Sequence, residues 1–187
     1  LSGFHSLMLL DPEGCRPFDA NRQGMQIGEA VGAVLLEAED GEARSGDALL
    51  GGANLCDIHH TTSAAPDGSA MRKVMEMALA DACLRPADVA LIKAHGTGSL
   101  DNDNAEAAAM RSLFGERLPP FTGIKRYIGH TLGACGAAET ASLLGCLRAG
   151  FVPPTAGYTR ADPALRVTPL TGFLPAPTGP VMFNFFG

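Results

Sequence analysis

The chain of 187 residues is 46% hydrophobic and carries 23 glycines and 13 prolines, a composition typical of a turn-rich globular protein with one core. Its net charge of −6, from 14 basic and 20 acidic residues, argues against a nucleic-acid-binding protein, which normally presents a basic stripe. The longest apolar runs are too short to span a bilayer, and the first residues show no secretory signal, so we expect neither a membrane nor a secreted protein.

The first third of the chain predicts two strands. A short apolar segment over residues 1–10 ends at the turn-forming residues 11–14. The apolar run Val31–Leu36 predicts a fully buried strand. Residues 39–41, Glu-Asp-Gly, then indicate a hairpin that leads to a second strand near Ala48–Cys56.

The middle of the chain predicts a helix from Met71, with a cap supplied by residues 67–69. Its apolar residues share one face, which we expect to pack in the core; they are Met71, Val74, Met75, Ala78, Leu79 and Ala82. We assign Met77 to the core as well. A short buried strand follows over residues 89–93.

Two further strand-to-helix units follow along the chain. After a loop over residues 95–102 comes a helix whose start carries Asp103 and Glu106 in a capping-box arrangement. A strand is predicted near residues 123–127 and a long helix over 132–148, ended by Gly150, and loops with one or two short strands are predicted over 167–187. This alternation predicts an α/β fold with right-handed crossovers.

The five cysteines predict a reducing environment. Their number is odd and they lack CxxC spacing. These features favour free thiols in the cytoplasm over a disulfide framework or a zinc site. We expect most of them to be small buried side chains; they are Cys15, Cys56, Cys83, Cys135 and Cys146.

His95 is the first candidate functional residue, because it directly follows the predicted strand 89–93. In open α/β sheets, ligands bind beyond the carboxyl ends of the strands. Gly96 and Gly98 allow the backbone to turn tightly near a substrate. A histidine in this position is equally common as a hydrogen-bonded loop residue, so the residues alone leave both interpretations open.

His130 is the second candidate, between the predicted strand 123–127 and the long helix. The positive end of a helix favours a neutral imidazole and helps to hold an anion. Lys125 and Glu139 flank the same turn, where an ion pair between them would set the tautomer and charge of the imidazole. The alternative interpretation makes both residues ordinary surface charges.

Two other polar segments have simpler interpretations. Residues 16–24 place Asp19 and Arg22 at a spacing that braces a loop through charge-assisted hydrogen bonds. The pair His59 and His60 has no cluster of other metal ligands near it in sequence, which favours a solvated loop over a metal site.

Three motifs together resemble those of elongating β-ketoacyl-acyl-carrier-protein synthases, and they occur in that family's order. They are Arg-Pro-Phe-Asp-x-x-Arg-x-Gly-x-x-x-Gly-Glu at 16–29, His-Gly-Thr-x-Ser-x-x-Asn-Asp-x-x-Glu at 95–106, and Lys-x-x-x-Gly-His-x-x-Gly-Ala-x-Gly-x-x-Glu at 125–139. The resemblance runs from about Phe4 to Gly187 and extends to relatives in polyene and polyketide pathways.

The resemblance implies a thiolase-like α/β fold built from two similar halves. Residues 1–46 would then be the end of the N-terminal half, and residues 47–187 the C-terminal half, truncated at its end. The family's nucleophilic cysteine lies in the first half, and none of the five cysteines here has its setting. The family's Gly-Phe-Gly-Gly loop, which supplies one amide of an oxyanion hole, is cut at Gly187.

The resemblance also implies roles for individual residues. His95 and His130 would hydrogen-bond the thioester carbonyl of malonyl-carrier protein, with Lys125 and Glu139 paired behind His130. Residues that would bind substrate are Thr97 and Ser99, along the phosphopantetheine channel, and Phe186 at the acyl gate. Ser99 replaces the usual Thr, Ala30 a usual Gly, and Phe185 a common Ser, which would reshape the gate.

The activity implied is an acyltransferase reaction, the decarboxylative Claisen condensation of an acyl thioester with malonyl-carrier protein in fatty acid or polyene and polyketide biosynthesis. It needs no metal or redox cofactor, because phosphopantetheine carries the substrates. Acyl carrier protein, the missing N-terminal half and a second ketosynthase chain, identical or different, would be the partners. Without the nucleophile, this chain alone would be inactive.

Two alternatives remain. A non-catalytic, chain-length-factor-like subunit would typically lack the cysteine and often the histidines, so the retention of His95 and His130 favours the enzyme. A thiolase-fold relative with another acyl transfer is disfavoured, because thiolases end in a Cys-Gly-Gly-type motif that is not found here.

Overall fold

The computed structural model describes residues 9–38, 46–60 and 64–186, together with Gly3. Its helices are α1 Ser69–Asp81, α2 Leu100–Phe114, α3 Lys125–Ile128 and α4 Cys135–Arg148. Its strands are β1 Leu91–Lys93, β2 Phe121–Thr122, β3 Phe151–Val152, β4 Leu174–Pro175 and β5 Val181–Phe183. Short 3₁₀ turns lie at Pro86–Asp88, Gly115–Arg117 and Leu132–Ala134. Helices and strands alternate from α1 to α3, after which α4 and the three strands β3, β4 and β5 complete a mixed order that agrees with the predicted α/β class.

The three strands β1, β2 and β5 form a parallel sheet with β1 in the centre. Ile92 is aligned with Phe121 of β2 and with Met182 of β5. Leu91 and Ile92 are fully buried, as expected for the central strand of a parallel sheet. Strands β3 and β4 pair separately as an antiparallel ribbon.

Helix α1 forms as predicted and packs against α2. It begins after Gly68, where the Asp67 carboxylate accepts a hydrogen bond from the Ser69 amide at 3.0 Å. Its buried face consists of Met71, Met75 and Leu79, spaced four residues apart. Burial of each such side chain contributes about 1.5–3 kcal/mol. The assignment of Met77 to the core is wrong, because it lies on the opposite side of the helix and is exposed.

The run Val31–Leu36 is not a buried strand, contrary to the prediction, since Val31 is 99% and Leu35 83% exposed. The second predicted strand, Ala48–Cys56, is also absent, and its leucines are exposed. A strand requires a neighbour that exchanges backbone hydrogen bonds with it. Within the described ranges, neither run pairs with a strand. The predicted hairpin at residues 39–41 lies outside those ranges.

The predicted capping box of α2 is wrong. The helix begins at Leu100, and Asp103 and Glu106 are fully buried on its inner face. Asp103 accepts hydrogen bonds from the Phe18 amide at 2.7 Å and the Gly98 amide at 3.2 Å. Its carboxylate therefore joins the N-terminal loop to the loop after β1 instead of capping its own helix.

The N-terminal loop is braced as predicted. Asp19 accepts hydrogen bonds from the amides of Asn21, Thr159 and Arg160 at 2.6–2.8 Å. Arg22 donates to Asp162 at 2.7 Å. The turn at residues 11–14 is also present, with the Gly14 amide donating to the Asp11 carbonyl at 3.1 Å. These contacts tie the first motif to residues near position 160.

All five cysteines are free, as predicted, but only two of them are buried. Cys15 and Cys135 are buried, Cys146 is half-buried, and Cys56 and Cys83 are exposed, so the expectation that most are buried is wrong. No helix of the described chain has both the length and the apolar character required to cross a membrane.

Candidate active site

Two neighbouring strands of the sheet deliver the two candidate histidines to one place. His95 follows the carboxyl end of β1, and His130 follows β2 after the short helix α3. Their imidazole rings lie 5.2 Å apart between centroids, at an interplanar angle of 84°. The structure therefore brings the two histidines together as the strand-end argument predicts.

The backbone of His130 is held by the N-terminal loop. Its amide donates to the Gln26 carbonyl at 2.6 Å, and its carbonyl accepts from the Gly28 amide at 3.0 Å. A Cβ atom on Gly28 would lie 2.1 Å from the Ile128 carbonyl oxygen, so only glycine permits this approach. Because of these contacts, residues 26–28 form a backbone clamp on His130.

The backbone of His95 is held by a buried carboxylate. Glu106 accepts hydrogen bonds from the amides of His95 and Gly96 at 2.8 and 2.9 Å. Gly96 has φ +49°, and a Cβ atom there would lie 3.0 Å from the Phe18 ring. The turn that presents His95 therefore depends on both glycine and Glu106.

A cluster of three buried charges lies behind the histidines. Glu139 forms ion pairs with Lys125 through one carboxylate oxygen and with Lys93 through the other, and all three side chains are 0% exposed. The predicted pair of Lys125 with Glu139 is confirmed, and the surface-charge alternative is wrong. The strand predicted near 123–127 lies earlier, as β2 at Phe121–Thr122. Lys125 is therefore the first residue of helix α3, where its side chain is buried.

Lys125 also contacts His95, which the prediction of a pair behind His130 did not include. Its ammonium nitrogen lies 3.3 Å from Nδ1 of His95. An ammonium group only donates hydrogen bonds, so Nδ1 of His95 accepts and the proton of the neutral ring is on Nε2. The influence of Lys125 on His130 is electrostatic, through its charge.

Burial and the lysines keep both imidazoles neutral. Burial, followed by the charges of Lys125 and Lys93, lowers the pKa of His95 well below its usual value. Burial and Lys125 lower the pKa of His130 to about 4. Nδ1 of His130 accepts the Leu132 amide at 3.1 Å, which places its proton on Nε2 as well. Each ring thus retains one N–H donor at its far nitrogen.

The charged cluster itself keeps its ions. Burial alone would raise the pKa of Glu139, but Lys93 and Lys125 outweigh it and lower that pKa. Burial lowers the pKa of Lys93 to about 8, with Glu139 acting in the opposite direction. At neutral pH Glu139 is therefore a carboxylate and Lys93 is mostly an ammonium ion.

Comparison with known proteins identifies the family. Residues 48–159 match the family described as Beta-ketoacyl synthase, C-terminal domain. Nodulation protein E of Rhizobium leguminosarum bv. trifolii is 36% identical over 177 residues, which cover 90% of this chain and 44% of that protein. The chain belongs to the β-ketoacyl synthase family.

Other members of the β-ketoacyl synthase family agree with this assignment. The tetracenomycin polyketide synthase ketoacyl synthase alpha subunit of Streptomyces glaucescens is 37% identical over 154 residues, covering 79% of this chain and 36% of that protein. A chain of the solved complex of the ketosynthase ApeO with its chain length factor ApeC from Xenorhabdus doucetiae has a TM-score of 0.82 and 33% identity, covering 98% of this chain and 46% of that one. The fold is therefore thiolase-like, and the chain spans less than half the length of these three relatives.

Of the predicted substrate-binding residues of this ketosynthase chain, Thr97 and Ser99 hydrogen-bond each other and Phe186 lies against His95. The hydroxyl oxygens of Thr97 and Ser99 are 3.0 Å apart, and the Ser99 amide donates to the Thr97 hydroxyl at 3.2 Å. The Phe186 ring lies 5.9 Å from the His95 ring between centroids. The structure therefore places Phe186 beside His95, while the roles of all three residues in binding substrate stay predictions.

Sequence reasoning missed Lys93 and underestimated Cys135. Lys93 ends a buried apolar strand, and a lysine in such a position is the signal that marks it. Cys135 is the first residue of α4, and its sulfur lies 3.1 Å from Nδ1 of His130. Since that nitrogen is an acceptor, the thiol donates to it. Helix packing alone did not predict this contact.

His59 and His60 belong to an exposed loop. His59 and His60 are exposed, as predicted for a solvated loop. Asp57 accepts the His59 amide at 2.9 Å. The described residues contain no group of three or more His, Cys, Asp or Glu side chains arranged to hold a metal ion.

Proposed function

We propose that this chain is the histidine-bearing half of a condensing acyltransferase, a 3-oxoacyl-carrier-protein synthase. The observation that carries the proposal is the pair of neutral imidazoles 5.2 Å apart, each with its proton on the nitrogen turned away from its protein partner. Two such donors suit a single oxygen that gains negative charge during a reaction.

The thioester oxygen of malonyl-carrier protein is the group that this pair would bind. When carbon dioxide leaves the malonyl group, its bonding electrons form an enolate, whose negative oxygen accepts hydrogen bonds from His95 and His130. The α-carbon then attacks an acyl thioester, forming a carbon–carbon bond and releasing the thiolate that carried the acyl group. The protons on the imidazoles stay in place, since hydrogen bonding alone stabilises the enolate.

The nucleophilic thiol, in our proposal, comes from outside these residues. Covalent catalysis requires an accessible thiolate. Burial raises the pKa of Cys15 to about 11, and Cys135 is 5% exposed with its thiol directed at His130. Neither is suited to receive an acyl chain from a carrier protein.

The partners are acyl carrier protein and further ketosynthase chain, either the N-terminal half or a homologous subunit. Exposed apolar side chains support a protein partner, because Val31, Leu35 and Ile58 are 99%, 83% and 93% exposed. ApeO is described in complex with a chain length factor, which makes a heterodimer the first arrangement to test. Phosphopantetheine carries the substrates, and the location is the cytoplasm.

The pathway is proposed to be of the polyketide type, because relatives are named for polyketide and nodulation products. The non-catalytic, chain-length-factor-like role is the competing function. A buried network that fixes both histidine tautomers favours the enzyme, since a subunit that only shapes a pocket has no need of it.

The test is malonyl-carrier-protein decarboxylation by the complete enzyme and by His95→Ala and His130→Ala. Each substitution should lower the rate about 100- to 1000-fold, because one donor to the enolate oxygen is lost. His59→Ala is the matched control, since His59 is exposed and should leave the rate unchanged. Equal rates in all four proteins would refute the proposed function.

A further inference from the structure

The segment after β5 connects the charged cluster to His95. The Asn184 amide donates to the Lys93 carbonyl at 2.9 Å. The Lys93 ammonium lies 4.0 Å from the centroid of the Phe185 ring, and the next ring, Phe186, lies against His95. We propose that Lys93 is a positioning residue that grips the Phe185 ring and thereby holds Phe186 beside His95. This inference rests on the proposed function and deepens it.

Lys93 is able to act as an anchor because its own position is fixed. Its side chain is fully buried, and one oxygen of Glu139 binds its ammonium. The other oxygen of Glu139 binds Lys125, whose ammonium is directed to His95. The two lysines thus share one carboxylate but serve different neighbours. Lys125 fixes the tautomer of the His95 imidazole, and Lys93 faces the Phe185 ring.

The Phe185 ring offers the Lys93 ammonium a cation–π contact. The face of an aromatic ring carries negative charge density, which attracts a cation within about 6 Å of the centroid. The ring is 38% exposed and stacks on Phe183 at 6.4 Å between centroids, so it bridges buried charge and surface. The family pattern that this sequence resembles commonly has serine here, and a serine offers no ring to the ammonium.

The start of the segment is fixed independently of the Lys93 side chain. The side-chain amide of Asn184 donates to Glu106 at 3.2 Å, and Glu106 in turn holds the amide of His95. With Asn184 fixed at one end, the contact to Phe185 restricts the rotation that would carry Phe186 away from His95. With the acyl-gate role that the family resemblance implies for Phe186, a long acyl chain that has to pass this ring would meet resistance, whereas a short one would not.

The expected effect is a change in acyl-chain preference. Loosening Phe185 should raise kcat/KM for long acyl thioesters relative to short ones, by about threefold to tenfold for a contact of this strength. A merely structural role for Lys93 or Phe185 would lower both values together and leave their ratio unchanged.

The experiment compares the complete enzyme with Lys93→Met, Phe185→Ser, Phe185→Tyr and the double variant Lys93→Met/Phe185→Ser. Lys93→Met and Phe185→Ser should shift the long-to-short ratio of kcat/KM in the same direction, and the double variant should shift it no further. Phe185→Tyr keeps a ring and should keep the parental ratio. Phe173→Ser is the matched control, because Phe173 is also exposed but packs on Phe151.

Three outcomes overturn the inference. In the first, the effects of Lys93→Met and Phe185→Ser on the ratio multiply in the double variant. The others are an unchanged ratio in Phe185→Ser and a Phe185→Tyr variant that behaves like Phe185→Ser. If Lys93→Met does not fold, because Glu139 loses one of its two partners, the Phe185 variants still decide the question. A parent enzyme that makes no condensation product refutes the proposed function instead. An active parent with an unchanged ratio refutes only the positioning role.

Discussion

The charged cluster and the N-terminal apolar runs invert the usual relation between polarity and burial. Lys93, Lys125 and Glu139 are 0% exposed, whereas Val31 and Leu35 are almost fully exposed. The cluster is complete within this chain, because every charge has a partner of opposite sign. The large apolar side chains of these runs are left exposed by the described residues. Burial is therefore decided by available partners more than by the polarity of a side chain.

The largest effect is expected for the activity of this chain when it is tested alone. A polypeptide of residues 1–187 alone should form no β-ketoacyl product from acyl- and malonyl-carrier protein, because it lacks the proposed nucleophile. Mass spectrometry of the carrier protein measures this directly. Product formation that disappears in Cys135→Ala would mean that Cys135 is the nucleophile. The buried residues near His130 would then supply the thiol that we propose comes from outside this chain.

The next largest effect should come from breaking the cluster. Glu139→Gln leaves two buried ammonium groups without a carboxylate and should lower the free energy of unfolding by about 3–5 kcal/mol. Glu76→Gln is the matched control, since Glu76 pairs with Arg72 at the surface, where a pair contributes about 0–1 kcal/mol. Denaturant unfolding measures both. Similar small losses in the two variants would contradict the idea that the cluster is held by its charges.

Acid should lower the free energy of unfolding through the protonation of His130. The pKa of His130 is lowered from 6.5 to about 4, so between these values the unfolded chain binds more protons than the folded one. The free energy of unfolding should therefore be highest above pH 6.5 and fall as the pH is lowered towards 4. The same titration of His130→Gln should show a shallower fall. An unchanged slope would mean that His130 is protonated in the folded protein.

The smallest effect should come from the exposed runs. Val31→Ser should change the unfolding free energy of the chain by no more than about 0.5 kcal/mol, as for other surface substitutions. In the complete enzyme the same change should cost about 1–3 kcal/mol if a partner covers Val31. Unfolding curves of both forms provide the comparison. Equal small values would show that no partner covers this residue.

Sequence reasoning predicted what depends on local pattern. The apolar face of α1 follows from its four-residue spacing, and the convergence of His95 and His130 follows from their positions after neighbouring strands. Partners that come from distant positions were harder to predict. Nothing near Lys125 indicates that its ammonium reaches Nδ1 of His95, because that contact depends on how α3 packs. Which apolar run becomes a strand depends likewise on a neighbour that its own residues do not specify.

The predicted domain boundary between residues 46 and 47 stays a prediction. The backbone clamp on His130 matters for any shorter polypeptide that is cut near this boundary. Residues 26–28 precede that boundary, yet they supply the two backbone hydrogen bonds that hold His130. A shorter polypeptide that begins at residue 48, where the family match begins, would leave the amide of His130 without its acceptor. In deuterium exchange this amide should be slow in the 187-residue chain and fast in the shorter one. The matched region expressed alone would then present His130 without its backbone clamp.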